Sequence, residues 1–305
     1  MIPLVVIAGP TASGKTALAI EIAKKTGGEI VSADSMQIYK EMDIGTAKPT
    51  ESEKEGVPHH LIDIASPDEN FSLGKFTEKA HSAIKDIYSR GKLPILAGGT
   101  GLYTDAVVNN TALADAAGNE EIRKRLAKEA ETLGSEALYE RLKKTDAESA
   151  AKLHINDTKR IIRALEIYEI SGITKSEGDR NSKKTKKIYN YLYFAIETER
   201  EILYNRINAR VDKMIEAGLM EECERLFAKY GFMKTTAMQG IGYRETAAYF
   251  RGLATFCETT ELIKRNSRRL AKRQMTWLRR NDGVIWVKNT DAEKCIELIN
   301  REFSL

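Results

Sequence analysis

"GPTASGKT", residues Gly9 to Thr16, is the stretch on which the fold turns. It fits the pattern GxxxxGK[ST] and lies between an apolar run, "LVVIA" (residues 4–8), and a segment of helical spacing from Lys15 to Thr26. A glycine-rich turn without a ligand is the bland reading, and the strand–loop–helix setting weighs against it. In that setting Gly9, Pro10, Thr11, Ala12, Ser13, Gly14, Lys15 and Thr16 form a phosphate-binding loop. Backbone N–H groups and the helix N-terminus cradle phosphate oxygens, Lys15 neutralises charge, and the Thr16 hydroxyl is the expected ligand of Mg2+. The motif implies a bound di- or triphosphate and leaves open whether that is ATP or another nucleotide.

Outward from the loop, the pattern repeats. "LVVIA" is a short continuous apolar run of the buried parallel-strand type. Leu18 with Ile22 and Ala19 with Ala23 are i, i+4 pairs, and Gly27-Gly28 stops the helix. "EIVSA" reads as a second strand that delivers Asp34 at its C-terminal end. "FTEKAHSAIKDIYSRG" is an amphipathic helix closed by Gly91, and "LPILA" a third strand ending in "GGTGLY". The fold class expected is α/β, a P-loop doubly wound parallel sheet. Residues 111–187 break the alternation with four helical segments, "NEEIRKRLAKEAETLG", "SEALYERLKK", "DAESAAKLH" and "NDTKRIIRALEIYEISG". They predict an all-helical insertion domain, leaving residues 1–110 and 188–305 as the core. "YNYLYFAIE" and "VIWV" are later strands, and "KKTKK" (183–187) is a short basic linker.

Composition sets the bounds. A chain of 305 residues, 42% hydrophobic and 30% charged, is long enough for two domains with a real core. Three cysteines, Cys223, Cys257 and Cys295, are odd in number and form no CxxC pair, which argues for a reducing compartment and against structural zinc. The opening is apolar for too few residues and lacks the basic start of a signal peptide. No segment approaches the roughly 18 apolar residues of a membrane span, so a cytoplasmic protein with no membrane partner is expected.

Ligands of open α/β sheets sit beyond the carboxyl ends of the strands. That places Lys15 and Thr16, Asp34 and Ser35, and Gly99-Thr100-Gly101 around one crevice. Asp34 there is a metal ligand, a base or a helix cap; with Ser35 and Gln37 it suits the reading of a planar polar group such as an adenine edge. No NKxD-type base reader is visible, and "LPILAGG" supplies no carboxylate for a metal. His59-His60 reads as a structural pair in a loop rather than a metal site. "QGIGY" (239–243) is either a glycine turn starting a helix or a surface for close approach.

Positive charge gathers in the last third. "IKRNSRRLAKRQMTWLRR" (263–280) has eight Lys or Arg in eighteen residues and no acid. Ile263, Leu270 and Trp277 make an apolar line along it, so Trp277 is expected as a packing anchor rather than a base-stacking platform. Arg206, Arg210 and Lys213 form a second basic stripe, and Lys159, Arg160 and Arg163 a third. A polyanion, a nucleic acid held between core and insertion, explains three such faces better than solvation.

The ordered motifs "GPTASGKT", "DSMQIYKEMDIGTAKP", "PHHLIDI", "LAGGTGLY", "RINARVDKMIEAGL", "QGIGYRE" and "LAKRQMTWLRR" resemble those of tRNA dimethylallyltransferases, also called tRNA isopentenyltransferases. The resemblance covers nearly the whole chain and is to the bacterial type, without the C-terminal zinc-finger extension of eukaryotic members. It implies transfer of a dimethylallyl group from dimethylallyl diphosphate to N6 of the tRNA adenosine just 3′ of the anticodon, in tRNAs reading codons that start with U. By matching position it implies Asp34 as general base, with Ser35, Met36 and Gln37 touching tRNA beside it. Thr100, Arg210 and Lys15 act at the reacting centre and the diphosphate. Arg123, Thr158, Lys159, Arg160, Ile161 and Ile162 in the insertion would touch tRNA. Gln239, Gly240, Tyr243, Arg244, Lys272, Arg273, Gln274, Trp277 and Arg279 would do so from the core. One departure is "GNE" where the family often has "DPE" before the first inserted helix. Mg2+ is the expected cofactor and a monomer the expected state. Three rivals differ in chemistry: a small-molecule kinase, an adenylate isopentenyltransferase acting on free AMP, and a non-enzymatic RNA-binding module. The last would not need Lys15, Thr16 and Asp34 around one crevice.

Overall fold

The computed structural model describes residues 1–111, 119–182, 186–232 and 235–304. Residues 183–185 of the basic linker and Gly118 of "GNE" lie outside these. The chain divides into two compact units, Met1–Val108 with Ile188–Leu305, and Asn109–Lys187.

The first unit is built on a six-stranded parallel sheet: β1 (Ile2–Ala8), β2 (Glu29–Ser32), β3 (His59–His60), β4 (Pro94–Gly98), β5 (Tyr189–Ile196) and β6 (Val284–Val287), in the order β3-β2-β4-β1-β5-β6. Its helices are α1 (Lys15–Thr26), α2 (Glu51–Lys54), α3 (Leu73–Ser89) and α4 (Gly101–Val108), and later α10 (Arg200–Glu216), α11 (Leu219–Tyr230), α12 (Tyr243–Phe250), α13 (Phe256–Leu278) and α14 (Ala292–Phe303). Strand residues alternate between two cores, as the period of a pleated strand requires. Val5 and Ile7 pack with Leu18 and Ile22 of α1 and Cys295 and Ile299 of α14. Leu4, Val6 and Ala8 face the other way, toward Phe76, Ala80 and Ile84 of α3 and Val107 of α4. Helices on both faces make this a doubly wound sheet. Because β1 sits between β4 and β5, its C-terminal end opens where strand order reverses, and the phosphate-binding loop stands there.

One strand was not foreseen. His59 and His60 are an edge strand rather than a loop, paired with Ile30 and Val31. Consecutive strand residues point to opposite faces, and the two imidazoles diverge accordingly. His59 Nδ1 meets the Val57 carbonyl at 2.8 Å, while His60 Nε2 meets Glu29 Oε2 at 2.8 Å. Arg90 closes a two-pronged pair on the same Glu29, and this hydrogen bonding holds the carboxyl at about 2.

The second unit contains α5 (Glu120–Leu133), α6 (Ser135–Thr145), α7 (Ala147–Lys152), α8 (Thr158–Ser171) and α9 (Lys175–Ser182), with no strand among its described residues. Its core is Leu126, Leu138, Leu142, Ile161, Ala164 and Leu165. Helix α9 is highly polar and gave no periodic signal. It is tied down by the buried Asp146, whose carboxylate accepts from the backbone N–H groups of Ser149 and Ser176.

Candidate active site

The end of β1 turns into α1 through the loop, with Gly14 in left-handed geometry as the cap. The first N–H groups of α1 have no acceptor within the helix and point outward with the positive end of its dipole. Lys15, Thr16, Asp34 and Arg210 all line one cavity of about 130 Å³. Met36, Gln37, Ile207, Val211, Met214, Ile241, Tyr243 and Leu270 complete much of its wall. Asp34 is the only carboxylate in this lining among the described residues, against two cations. A second, larger cleft of about 830 Å³ lies beside it, and Lys15, Thr16, Ala47 and Arg210 line both.

Electrostatics follow from this crowding. Burial drives the Lys15 ammonium down from 10.5 to about 8; Asp34 opposes the drop and Arg210 adds to it. Burial also lowers Arg210, with Asp34 again opposing. Two desolvated cations facing one carboxylate make a site short of negative charge, which a diphosphate would supply. Arg210 therefore turns inward and does not belong to a solvated stripe with Arg206 and Lys213, which are exposed.

Of the roles the sequence left open for Asp34, the geometry shows the local cap and a place in the cavity wall. Its Oδ1 accepts the Met36 N–H at 2.9 Å, a local turn bond, while the residue lines the cavity. Thr100 does not line that cavity. Its hydroxyl accepts the Ser35 N–H at 3.1 Å and donates to Ser35 Oγ at 3.2 Å, so it fixes the residue next to Asp34. Gln37 lines the cavity, yet its carboxamide is engaged: Oε1 accepts from Ser32 Oγ and Nε2 donates to the Ala47 carbonyl at 3.2 Å. These bonds brace the loop 43–47 from the cavity wall.

Residues 34–49 are rich in polar and charged side chains, and part of that polarity serves structure. Lys48 Nζ is enclosed by Asp43, Asp63 and the Tyr39 carbonyl. The Glu222 carboxylate, 2% exposed, accepts the N–H groups of Asp43, Ile44 and Gly45 at 2.8–3.0 Å and the Tyr243 hydroxyl at 2.7 Å. A buried anion needs such donors, and here they fix a wall of the cavity from behind. Glu222 was missed in the sequence. An acid in the first turn of an amphipathic helix looks solvated, and its partners lie nearly 180 residues away.

"QGIGY" is a glycine turn that starts a helix: Gly242 caps α12, its N–H bonded to Glu245 at 2.9 Å, and Ile241, Gly242 and Tyr243 also line the cavity. Tyr243 is fully buried and Gly240 is buried against Met36, so of this motif Gln239 and Arg244 are the exposed members; Arg244 pairs with Glu245.

Helix α13 differs from expectation in three ways. Its buried line is Ile263, Ala271 and Leu278; Trp277 is 37% exposed, lies against Gly101 and donates Nε1–H to Asp105 at 2.7 Å. The stretch has no acid of its own, but Lys264 pairs with Asp212 and Arg268 with Asn208, both on α10. Gln274 points inward, its Oε1 accepting the Thr11 N–H and its Nε2 donating to the Gly99 carbonyl, each at 2.9 Å. Lys272, Arg273 and Arg279 are exposed.

Within the insertion, Lys159 and Arg160 are exposed at the start of α8, where Thr158 Oγ1 meets Ser135 Oγ at 2.7 Å. Ile161 is fully buried in the insertion core, with Ile162 packed against it, so the Ile161 side chain holds the helix rather than a ligand. Arg123 and Arg163 both bind the fully buried Glu166. Burial raises the Glu166 carboxyl, and the two guanidiniums outweigh it to hold it below its usual range. Arg123 is thus an internal tether with its other face half exposed.

Comparison with known proteins gives a consistent answer. The model of the family described as IPP transferase matches residues 37–281. A tRNA dimethylallyltransferase of Acetivibrio thermocellus is 49% identical over 297 residues, covering 97% of this chain and 95% of the relative. That of Geobacillus thermodenitrificans is 49% identical over 291 residues, 95% and 92% of the two chains. Among solved structures, the full-length tRNA isopentenylpyrophosphate transferase of Bacillus halodurans superposes with a TM-score of 0.75 at 41% identity, over 100% of this chain and 97% of the other. A eukaryotic dimethylallyltransferase acting on tRNA gives 0.87 at 30% identity, over 100% and 80%.

Proposed function

The chain belongs to the IPP transferase family, and from that premise we infer that it is a tRNA dimethylallyltransferase. It transfers the dimethylallyl group of dimethylallyl diphosphate to N6 of the adenosine 3′-adjacent to the anticodon, in tRNAs reading codons that begin with U. The observation that carries this reading is the shared wall: Lys15, Thr16 and Arg210 line both the outer cleft and the inner cavity, and Asp34 faces them from the inner one. A donor diphosphate and an acceptor base can therefore meet across the same two cations.

In the transfer, the N6–C1 bond forms as the C1–O bond breaks, and pyrophosphate leaves with the bonding pair. Lys15, Arg210 and the α1 N-terminus stabilise the charge that develops on it. The N6 proton passes to Asp34, since an exocyclic amine is a weak nucleophile until it loses that proton. Ser35, held by Thr100, and Met36 position the base beside the carboxylate. A stacked adenine cannot reach the cavity and must be everted, at a cost of a few kcal/mol that backbone contacts offset. Lys159, Arg160, Lys272, Arg273 and Arg279 are exposed cations suited to those phosphate contacts.

Mg2+ fits the donor set. Among the described residues no cluster of three or more His, Cys, Asp or Glu side chains exists to hold a metal. The ion would be held by the exposed Thr16 hydroxyl, phosphate oxygens and water, a set that a small hard cation accepts. When bound it neutralises charge on the leaving diphosphate. No helix of the described residues is long and apolar enough to cross a membrane. A tRNA substrate puts the proposed enzyme in the cytoplasm, and a monomer is the expected state. A small-molecule kinase and an AMP-directed prenyl transferase find no support among relatives whose names specify tRNA. The test is incubation with labelled dimethylallyl diphosphate, Mg2+ and either tRNA or AMP. Label should enter tRNA at the purine beside the anticodon; label in AMP alone, or none in either, overturns the reading.

A further inference from the structure

We propose that Gln274 is a positioning residue for this transfer, locking the phosphate-binding loop to the end of β4, and not a contact for tRNA. The proposal rests on the prenyl-transfer reading of the site. Gln274 is the residue after Lys272-Arg273 on the outer side of α13, yet its side chain lines the inner cavity. A carboxamide has one accepting and one donating end, and each end here meets its complement. Oε1 takes the Thr11 N–H and Nε2 gives to the Gly99 carbonyl, both at 2.9 Å across 263 and 175 residues of sequence. The fit is close: a Cβ built on Gly99 would lie 2.5 Å from Nε2.

The consequences run to both substrates. Thr11 belongs to the loop that should hold the donor, and its amide is used to fix the shape of that loop. Gly99 precedes Thr100, whose hydroxyl fixes Ser35 beside Asp34. One side chain therefore sets the spacing between the group that grips the leaving diphosphate and the group that receives the proton. The helix that carries it is itself pinned to α10, with Ala271 packed on Leu203 and Ile207, and Ala12 of the loop against the same cluster.

Gln274→Met keeps length and helix preference while removing both hydrogen bonds. Binding of inorganic pyrophosphate with Mg2+ is measured by calorimetry without tRNA, alongside kcat, both KM values and helical circular dichroism. Loss of the latch should weaken pyrophosphate about three- to tenfold, the value of one ordinary hydrogen bond. It should lower kcat about ten- to a hundredfold through misplacement of the reacting groups, with tRNA KM within about twofold of the parent. Gly99→Ala, which crowds the same amide from the other side, should reproduce the pattern and stands in if Gln274→Met fails to fold. Pyrophosphate affinity and kcat equal to the parent's in the folded variant overturn the proposal. A loss confined to tRNA KM also overturns it and makes Gln274 a direct contact. A parent enzyme that binds no pyrophosphate sinks the prenyl-transfer reading itself.

Discussion

Replacing Lys15 with Met should make the ligand-free enzyme more stable while removing its grip on the donor. The ammonium is held in a desolvated position beside Arg210, which brings it from 10.5 to about 8. That drop corresponds to about 3 kcal/mol by which the folded chain disfavours the charge, since each tenfold change in proton affinity is about 1.4 kcal/mol. The sign is the reverse of an ordinary ion-paired lysine. Between pH 8 and 10.5 the unfolded chain binds more protons than the folded one, so parent stability rises with pH across this window. Below 8 both states are protonated and the whole cost is present. At pH 7, Lys15→Met should therefore gain between about 1 and 3 kcal/mol, the lower figure allowing for Asp34 losing one of its two cationic neighbours. Urea denaturation of both proteins at pH 7 and pH 10 gives the difference directly, and calorimetry with pyrophosphate shows the functional loss. A variant less stable than the parent at pH 7, or a stability gap that does not shrink toward pH 10, would refute the account of a strained cation. Storing such strain where a ligand will relieve it is a common trade of stability for function.

Asp34→Ala should lower kcat by about 10²–10⁴-fold while tRNA affinity, followed by gel shift, stays close to the parent's; near-normal turnover removes the base assignment. The double variant Lys272→Ala, Arg273→Ala should weaken tRNA binding and reduce the slope of log affinity against log salt by about 1 to 2, and an unchanged slope takes that face out of the interface. Glu222→Gln keeps the shape of the side chain but turns an amide donor toward donors; unfolding free energy should fall by about 1–3 kcal/mol. Its kcat/KM should fall too, and a stable, fully active variant would show that the loop 43–45 holds itself.

The parts of the fold that the sequence revealed are those with local causes. "LVVIA" is buried on both faces and so is uniformly apolar, and Leu18, Ile22 and Gly27 carry the period and stop of α1. Two residues of strand, His59 and His60, are too few to show any period, and α9 has too little apolar content to show one. At the site, Lys15 and Asp34 were placed together by the rule for strand ends, because a parallel sheet delivers its loops to one edge. The direction of Arg210 and Gln274 followed from angles around α10 and α13 that a basic stretch does not reveal, since positive charge reads the same whether it faces water or a cavity. Glu222, Glu166 and Asp146 share the same invisibility: each is an ordinary surface-type acid by neighbourhood and is buried only because distant backbone N–H groups or arginines close over it.

The chain has two tryptophans, Trp277 and Trp286. The first rests on Gly101 with its indole N–H bonded to Asp105, at the junction between α13 and the turn that carries Thr100. After Trp286→Phe it would be a single built-in fluorophore, half in water, beside the turn that carries Thr100. Its emission colour and quenching would then report in real time whether that junction tightens when pyrophosphate or tRNA arrives, with no label attached.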